Sequence, residues 1–250
     1  MLKKCVAAFQ KTCRACFADR KNCSVCHVPL HQLAQSLGNA VDAKDPTTFN
    51  HSEEVARASE LLAQLLGLPT NIVITIHLAA HLHDVGKIGI PDAILKKPGR
   101  LDEEELRLIR LHPEIGAKIV QPILSFCDPA GVADIILHHH EHFDGRGYPE
   151  GLVGDAIPLG ARIIAVTDTL SAMLQNRYYR SGTTFDKAME ELRRCSGSQF
   201  DPAIAAVVSR HSNLFRSLFQ DYPDGLSSPL RASMLQMPPP CVARNRNTKQ

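Results

Sequence analysis

Thr70-Asn71-Ile72-Val73-Ile74-Thr75-Ile76-His77-Leu78-Ala79-Ala80-His81-Leu82-His83-Asp84-Val85-Gly86 is the stretch on which the reading of the fold turns. Ile72, Ile76 and Ala80 recur four residues apart, which is the period of one helix face and not the alternation of a strand. Thr70 is placed to cap this helix, Asp84 is predicted to lie at its end, and Gly86 is predicted to stop it. Upstream, Asn50 and Glu53 have capping-box spacing, and Val55, Ala58, Leu62 and Leu65 follow at helical spacing to a stop at Gly67. Downstream, Asp102 and Glu105 form a second capping box before Leu106 and Ile109. Asp128-Pro129 and Pro158 are read as helix starts with proline in the first position. No strand-like alternation of useful length occurs, so the predicted fold class is all-α.

The chain of 250 residues accommodates one catalytic domain, predicted over residues 30–222, with a Cys-rich extension over 1–29 and a disordered tail over 223–250. That tail is rich in Pro, Ser, Arg and Asn and includes Pro238-Pro239-Pro240. A formal charge of only +2 argues against a nucleic-acid polymer or an anionic membrane as the main partner. No run approaches the ~18 apolar residues of a membrane span, and Val6 to Phe9 is too short for a signal-peptide core. The expected compartment is the cytoplasm, where cysteines are mostly reduced or metal-bound.

Eight of the 12 histidines fall between His77 and His142, and histidine is the commonest metal ligand. His83-Asp84 ends an apolar helix. His139 and His140 continue the face set by Val132 and Ile136, and Asp168 follows Ile164 by four residues and Ala161 by seven. A single inward histidine is ordinarily a hydrogen-bonded core residue. Inward histidines and carboxylates on separate helices fit a metal site as well as that plainer reading. His77 and His81, four apart on one face, also have ligand spacing, so spacing alone leaves His81 and His83 as alternatives.

Two longer signatures carry a family resemblance. His81-Leu82-His83-Asp84-Val85-Gly86-Lys87-Ile88-Gly89-Ile90-Pro91-Asp92 resembles the HD signature of HD-GYP phosphodiesterases. His139-His140-Glu141-His142-Phe143-Asp144-Gly145-Arg146-Gly147-Tyr148-Pro149 resembles their GYP signature. The similarity runs from about Leu33 to about Pro202, with Asp45-Pro46 before His51 and Gln199-Phe200-Asp201-Pro202 near its end. The resemblance implies a helical domain that hydrolyses cyclic di-GMP to pGpG or GMP with iron or manganese. It implies metal ligands at His51, His83, Asp84, His112, His139, His140 and Asp168, and so favours His83 over His81. Asp84 would bridge two metals, joined by His51, His83 and Asp168 on one side and by His112, His139 and His140 on the other. Two such ions, about 3.5–4 Å apart, share a hydroxide nucleophile. Asp84 and Lys87 would serve catalysis, and Lys87, Arg177 and Arg180 would face the substrate phosphates. Some family members hold a third metal through a glutamate where this chain has Thr47, so two metals are expected. Ser171 replaces an aspartate of many members and is assigned no role. The GYP loop is linked in the family to protein partners, and a homodimer is compatible with the sequence.

Cys13-x-x-Cys16 and Cys23-x-x-Cys26 are two further metal-type pairs. Four thiolates suit zinc or an iron–sulfur cluster, although the six residues between the pairs are few for a zinc ribbon. Unligated cytosolic thiols are the alternative. Cys23-Ser24-Val25-Cys26-His27 matches the haem-attachment pattern, which normally needs export. A metal there would make a redox or metal sensor of the extension.

Overall fold

A computed structural model describes residues 30–45, 50–123, 126–175 and 182–220. The extension with Cys13, Cys16, Cys23 and Cys26, the tail, Thr47, Arg177 and Arg180 lie outside these residues. The helices are α1 (Leu30–Lys44), α2 (His51–Leu65), α3 (Thr70–Leu82), α4 (Asp92–Leu95), α5 (Glu103–Ile109), α6 (His112–Val120), α7 (Val132–His138), α8 (Leu159–Leu174), α9 (Phe185–Arg194), α10 (Pro202–Arg210) and α11 (Ser212–Gln220). A 3-10 turn, Val85–Gly89, follows α3. Among the described residues there is no β-sheet, only the isolated bridges Asp144–Val153 and Ser196–Phe200. The all-α expectation therefore holds. No described helix is long and apolar enough to cross a membrane.

Helix α3 runs through the middle, packed on α1, α2, α7 and α8. Its Ile76 and Ala80 are buried with Val55, Ala58 and Leu62 of α2, Ile135 and Ile136 of α7, and Ile163, Ile164 and Leu170 of α8. Ile72, expected on the same face, is exposed, so the helical period marks the buried face of α3 only from Ile76 onward; burying apolar area is the main favourable term in folding.

Several element ends differ from expectation. Asn50 does not cap α2: its backbone is left-handed (φ 62°) and its side chain makes no capping bond. The capping acceptor comes instead from α1. Asp42 accepts from the Ser52 amide at 3.1 Å and from the Ser52 hydroxyl at 2.9 Å. Helix α3 begins at Thr70 with Pro69 as its cap, and it ends at Leu82, so His83 is the C-cap and Asp84 opens the 3-10 turn. Asp128-Pro129 does not start α7, which begins three residues later behind Gly131. Pro158 caps α8 rather than entering it. The Asp102–Glu105 capping box is present in full.

Gly86 is the tightest point of the architecture. A Cβ there would lie 1.9 Å from the His112 carbonyl oxygen and 2.6 Å from the Gly116 amide nitrogen. Glycine at this position lets the turn after Asp84 lie directly on α6. On the opposite side of the turn, Lys44 at the end of α1 donates to the Lys87, Ile88 and Ile90 carbonyls at 3.1, 2.9 and 2.8 Å. These carbonyls belong to the last residues and the C-cap of the 3-10 turn, where a lysine is favourably placed.

Candidate metal centre

His51, His83, Asp84, His112, His139, His140 and Asp168 converge between α2, α3, α6, α7 and α8. They include two groups whose ligand atoms lie within 4.8 Å of one another: His51, His83 and Asp84, and His112, His139 and His140. Most of these side chains sit at helix ends. His51 and His112 are the first residues of α2 and α6, and His83 and His139 are the C-caps of α3 and α7. His140 lies beyond the end of α7, so the histidine pair does not continue that helix's apolar face as expected. Asp168 alone projects from mid-helix.

The helix ends fix the imidazoles. The last carbonyls of a helix lack backbone partners. His83 Nδ1 donates to the Ala80 carbonyl at 2.7 Å, His112 Nδ1 to Ile109 at 2.8 Å, and His139 Nδ1 to Ile136 at 2.6 Å. A carbonyl can only accept, so in neutral imidazole the proton is on Nδ1 and the Nε2 lone pair points inward. Inside, His112 Nε2 is 3.3 Å from His139 Nε2 and 3.1 Å from His140 Nε2. The His112 and His139 lone pairs cannot bond to each other. Buried His83 Nε2 has no hydrogen-bond partner. The inward lone pairs of His112 and His139 and the unpartnered His83 Nε2 face one shared space, so the residues present fit a metal.

The carboxylates divide between the two groups. Asp84 Oδ2 is 3.4 Å from His83 Nε2, and its Oδ1 is 3.3 Å from His112 Nε2. Asp168 Oδ1 is 3.0 Å from His51 Nε2 and 4.0 Å from His83 Nε2. Lys87 Nζ donates to Asp84 Oδ2 at 2.5 Å. Burial works against charge at all of these sites, but partners override it at three. The Lys87 ammonium and His83 hold Asp84 well below the usual carboxylate range. His51 holds Asp168 low, and Asp84 carries His83 up to about 9. His112 is pushed down to about 4 by burial, and His140 to about 3 by burial and then by His112. Burial and the neighbouring His140 also push His139 well down. Three imidazoles are thus kept neutral, as ligands must be.

Several supporting residues escape sequence reading. Ser171, expected to have no role, lies 3.0 Å from His51 Nδ1 and donates to Glu54 Oε2 at 2.7 Å. Gln175 donates to the same Glu54 oxygen at 2.8 Å. Because the Ser171 hydroxyl donates to Glu54, it accepts from His51 Nδ1, and this leaves His51 Nε2 facing Asp168. Glu141 is buried and accepts from the amides of Glu150, Gly151 and Leu152 at 2.7, 3.0 and 3.2 Å, which folds the loop after the histidine pair. Gly147 lets that loop close, since a Cβ there would meet the His142 amide nitrogen at 2.2 Å. Tyr148 then stacks on His140 with ring centres 4.9 Å apart. The loop therefore braces the second histidine of the pair. No local spacing rule marks these residues, because their partners are distant in the chain.

Comparison with known proteins bears on the same segment. A family model described as HD domain matches residues 35–204. The cyclic di-GMP phosphodiesterase response regulator RpfG of Xanthomonas campestris is 43% identical over 174 residues, covering 70% of this chain and 46% of the relative. The 3'3'-cGAMP-specific phosphodiesterase 2 of Vibrio cholerae is 37% identical over 193 residues, covering 77% and 37%. The chain thus spans less than half the length of these two curated relatives. A crystal structure of a cyclic GMP-AMP specific phosphodiesterase of V. cholerae superposes with a TM-score of 0.57 at 20% identity, covering 84% of this chain and 54% of that one. That likeness concerns the fold.

Proposed function

The chain belongs to the HD domain family, and from that premise we propose that it is an HD-GYP type metal-dependent phosphodiesterase hydrolysing cyclic di-GMP to pGpG, GMP or both. The observation that carries this reading is the convergence of imidazole Nε2 atoms whose Nδ1 protons are committed to helix-end carbonyls. Asp84 has one oxygen toward each group and would be a ligand shared by both. His51, His83 and Asp168 would hold one cation, and His112, His139 and His140 would hold the other. Mixed imidazole and carboxylate ligands favour iron or manganese. When bound, the two cations supply Lewis acidity, activating water and offsetting the charge that grows on the phosphoryl group.

The chain's own residues do the rest. The carboxylates of Asp84 and Asp168 balance the positive charge of the centre. The helix-end carbonyls and Ser171 keep the imidazoles in one tautomer and orientation, so the ligand lone pairs need no rearrangement. Lys87 sits beside Asp84, within reach of a phosphate brought to the centre. Arg177 and Arg180 are assigned to the phosphates on their sequence positions alone, arginine being able to grip two oxygens at once.

A second substrate, 3'3'-cGAMP, is kept because the relatives' names divide between it and cyclic di-GMP. The test is anaerobic purification with iron or manganese, followed by chromatography of products from cyclic di-GMP, 3'3'-cGAMP and cyclic di-AMP. Linear dinucleotide or mononucleotide from cyclic di-GMP, at a higher kcat/KM than from the others, is expected. Faster turnover of 3'3'-cGAMP would correct the substrate. Binding of the dinucleotides with no product from a fully metal-loaded chain would replace the enzyme with a recognition module.

A further inference from the structure

A second histidine cluster lies outside the centre described above. His77 and His81 are one turn apart on α3, and His31 approaches them from the start of α1. His77 Nε2 is 3.1 Å from His31 Nδ1 and 3.2 Å from His81 Nε2. All three ligand atoms lie within 4.8 Å of one another. We propose that His31, His77 and His81 form a separate transition-metal site of the zinc class, which clamps α1 onto α3.

The distances suit that ion. Zinc with nitrogen ligands at about 2.0–2.1 Å in a tetrahedron sets neighbouring nitrogens about 3.3–3.4 Å apart. The two observed separations are slightly shorter, so a small outward movement of the rings admits the ion. The orientation of His77 suits it too. Its Nδ1 lies 3.1 Å from Glu60 Oε2, close enough for the carboxylate to keep the proton there, although the alignment falls short of a full hydrogen bond. The Nε2 lone pair then faces the cluster, an arrangement in which a carboxylate fixes the tautomer of a metal-binding histidine. A fourth donor stands nearby. Glu53 Oε2 is 3.9 Å from His81 Nε2 and is held by the Gln35 amide at 3.0 Å. His81 is buried, His77 half-buried and His31 exposed, so the site opens to solvent on one side. Without a cation, a single proton from His31 or His81 satisfies His77 Nε2, whereas zinc uses all three lone pairs. Metal binding therefore separates the two states.

The position gives the clamp a consequence. Asp42 near the end of α1 caps α2 at Ser52, and Lys44 holds the turn after Asp84. Fixing the start of α1 to α3 steadies the helix that carries both contacts.

The test uses the full chain with Cys13, Cys16, Cys23 and Cys26 replaced by Ser, so that thiolates take up no zinc. Zinc per chain is measured after equilibration and dialysis, beside the same chain carrying His31→Ala and His77→Ala. The double variant is expected to hold one equivalent less, with unchanged helical circular dichroism. Cobalt substitution is expected to give a tetrahedral visible band that the double variant loses in part. Single His31→Ala, at an exposed position, is expected to weaken zinc binding at this site by about tenfold or more, as befits losing one ligand. Equal zinc content in the parent and double variant would overturn the proposal, as would unchanged affinity in His31→Ala. Loss of every equivalent with the fold intact would show that the cluster is not separate from the other centre.

Discussion

A neutral imidazole has one proton, and the group that accepts it decides which nitrogen is left to bind a metal. At His83, His112 and His139 the acceptor is a backbone carbonyl three residues earlier, which mutation cannot remove without moving a helix. At His51 it is the Ser171 hydroxyl, which mutation can remove. Ser171→Ala is expected to lower metal affinity and turnover by about 10–100-fold, the usual effect of losing an outer partner. Ser171→Thr, which keeps the hydroxyl, is expected to restore part of the loss. Metal titration and steady-state kinetics on both variants check this, and wild-type affinity in Ser171→Ala would remove the serine from the account. The same residue marks a limit of sequence reading. A serine in mid-helix is unremarkable until the fold brings it against His51, 120 positions away.

At the scale of elements, every ligand but the mid-helix Asp168 is delivered by a helix end or by one short turn. Gly86 allows that turn to rest on α6, which carries His112. Gly86→Ala is expected to destabilise the chain by about 1–3 kcal/mol through overpacking, and to cost metal as well, because the backbone that must yield is that of His112. Denaturant unfolding and metal analysis of the variant test both parts. Unchanged metal content would mean that α6 can shift without disturbing its ligand. Lys44→Met removes the ammonium from three carbonyls of the same turn. Bonds to charged groups are worth about 1.5–3 kcal/mol each when well shielded, but this side chain is 21% exposed. The expected total loss is therefore nearer the value of one such bond. Its readout is the unfolding midpoint with and without metal. The Asp102–Glu105 box was legible in the sequence because donor and acceptor lie within one turn. The cap of α2 was not, since Asp42 supplies it from another helix and Asn50 has the right residue type without the bond. Asp128-Pro129 misled for a related reason: a proline permits a helix start but does not compel one, and Gly131 takes the position instead.

The whole molecule joins a helical core to a polar centre, and the two respond differently to pH. Burial and neighbouring imidazoles push His112 and His140 down to about 4 and 3, while Asp84 outweighs burial and carries His83 up to about 9. In the chelated protein, between about pH 6.5 and pH 4, the unfolded chain binds more protons at His112 and His140 than the folded chain does. These two histidines therefore lower stability as the solution is acidified through that window, and the raised carboxyls of Asp42 and Glu54 offset part of that loss. Between about pH 6.5 and pH 9 the folded chain holds an extra proton on His83, so stability falls as pH rises. The chelated chain is expected to be most stable near pH 6.5, as read from urea midpoints. Metal should abolish the alkaline loss by taking the place of the proton on His83. A flat profile from pH 5 to 8 in the chelated chain would contradict this. The all-α class and the inward faces of the core helices could be read from the chain because each follows a local period. The two longer signatures contain His83, Asp84, His139 and His140, and the wider family resemblance added His51, His112 and Asp168, but the tautomer-setting carbonyls are visible only in three dimensions. The most direct test of the two-cation centre is anaerobic titration of the chelated full chain with manganese, following cyclic di-GMP hydrolysis, for the wild type and Asp84→Asn. Activity is expected to require two equivalents at the centre, and Asp84→Asn is expected to stay inactive at any manganese concentration. Full activity at one equivalent, or an active Asp84→Asn, would contradict the two-cation centre.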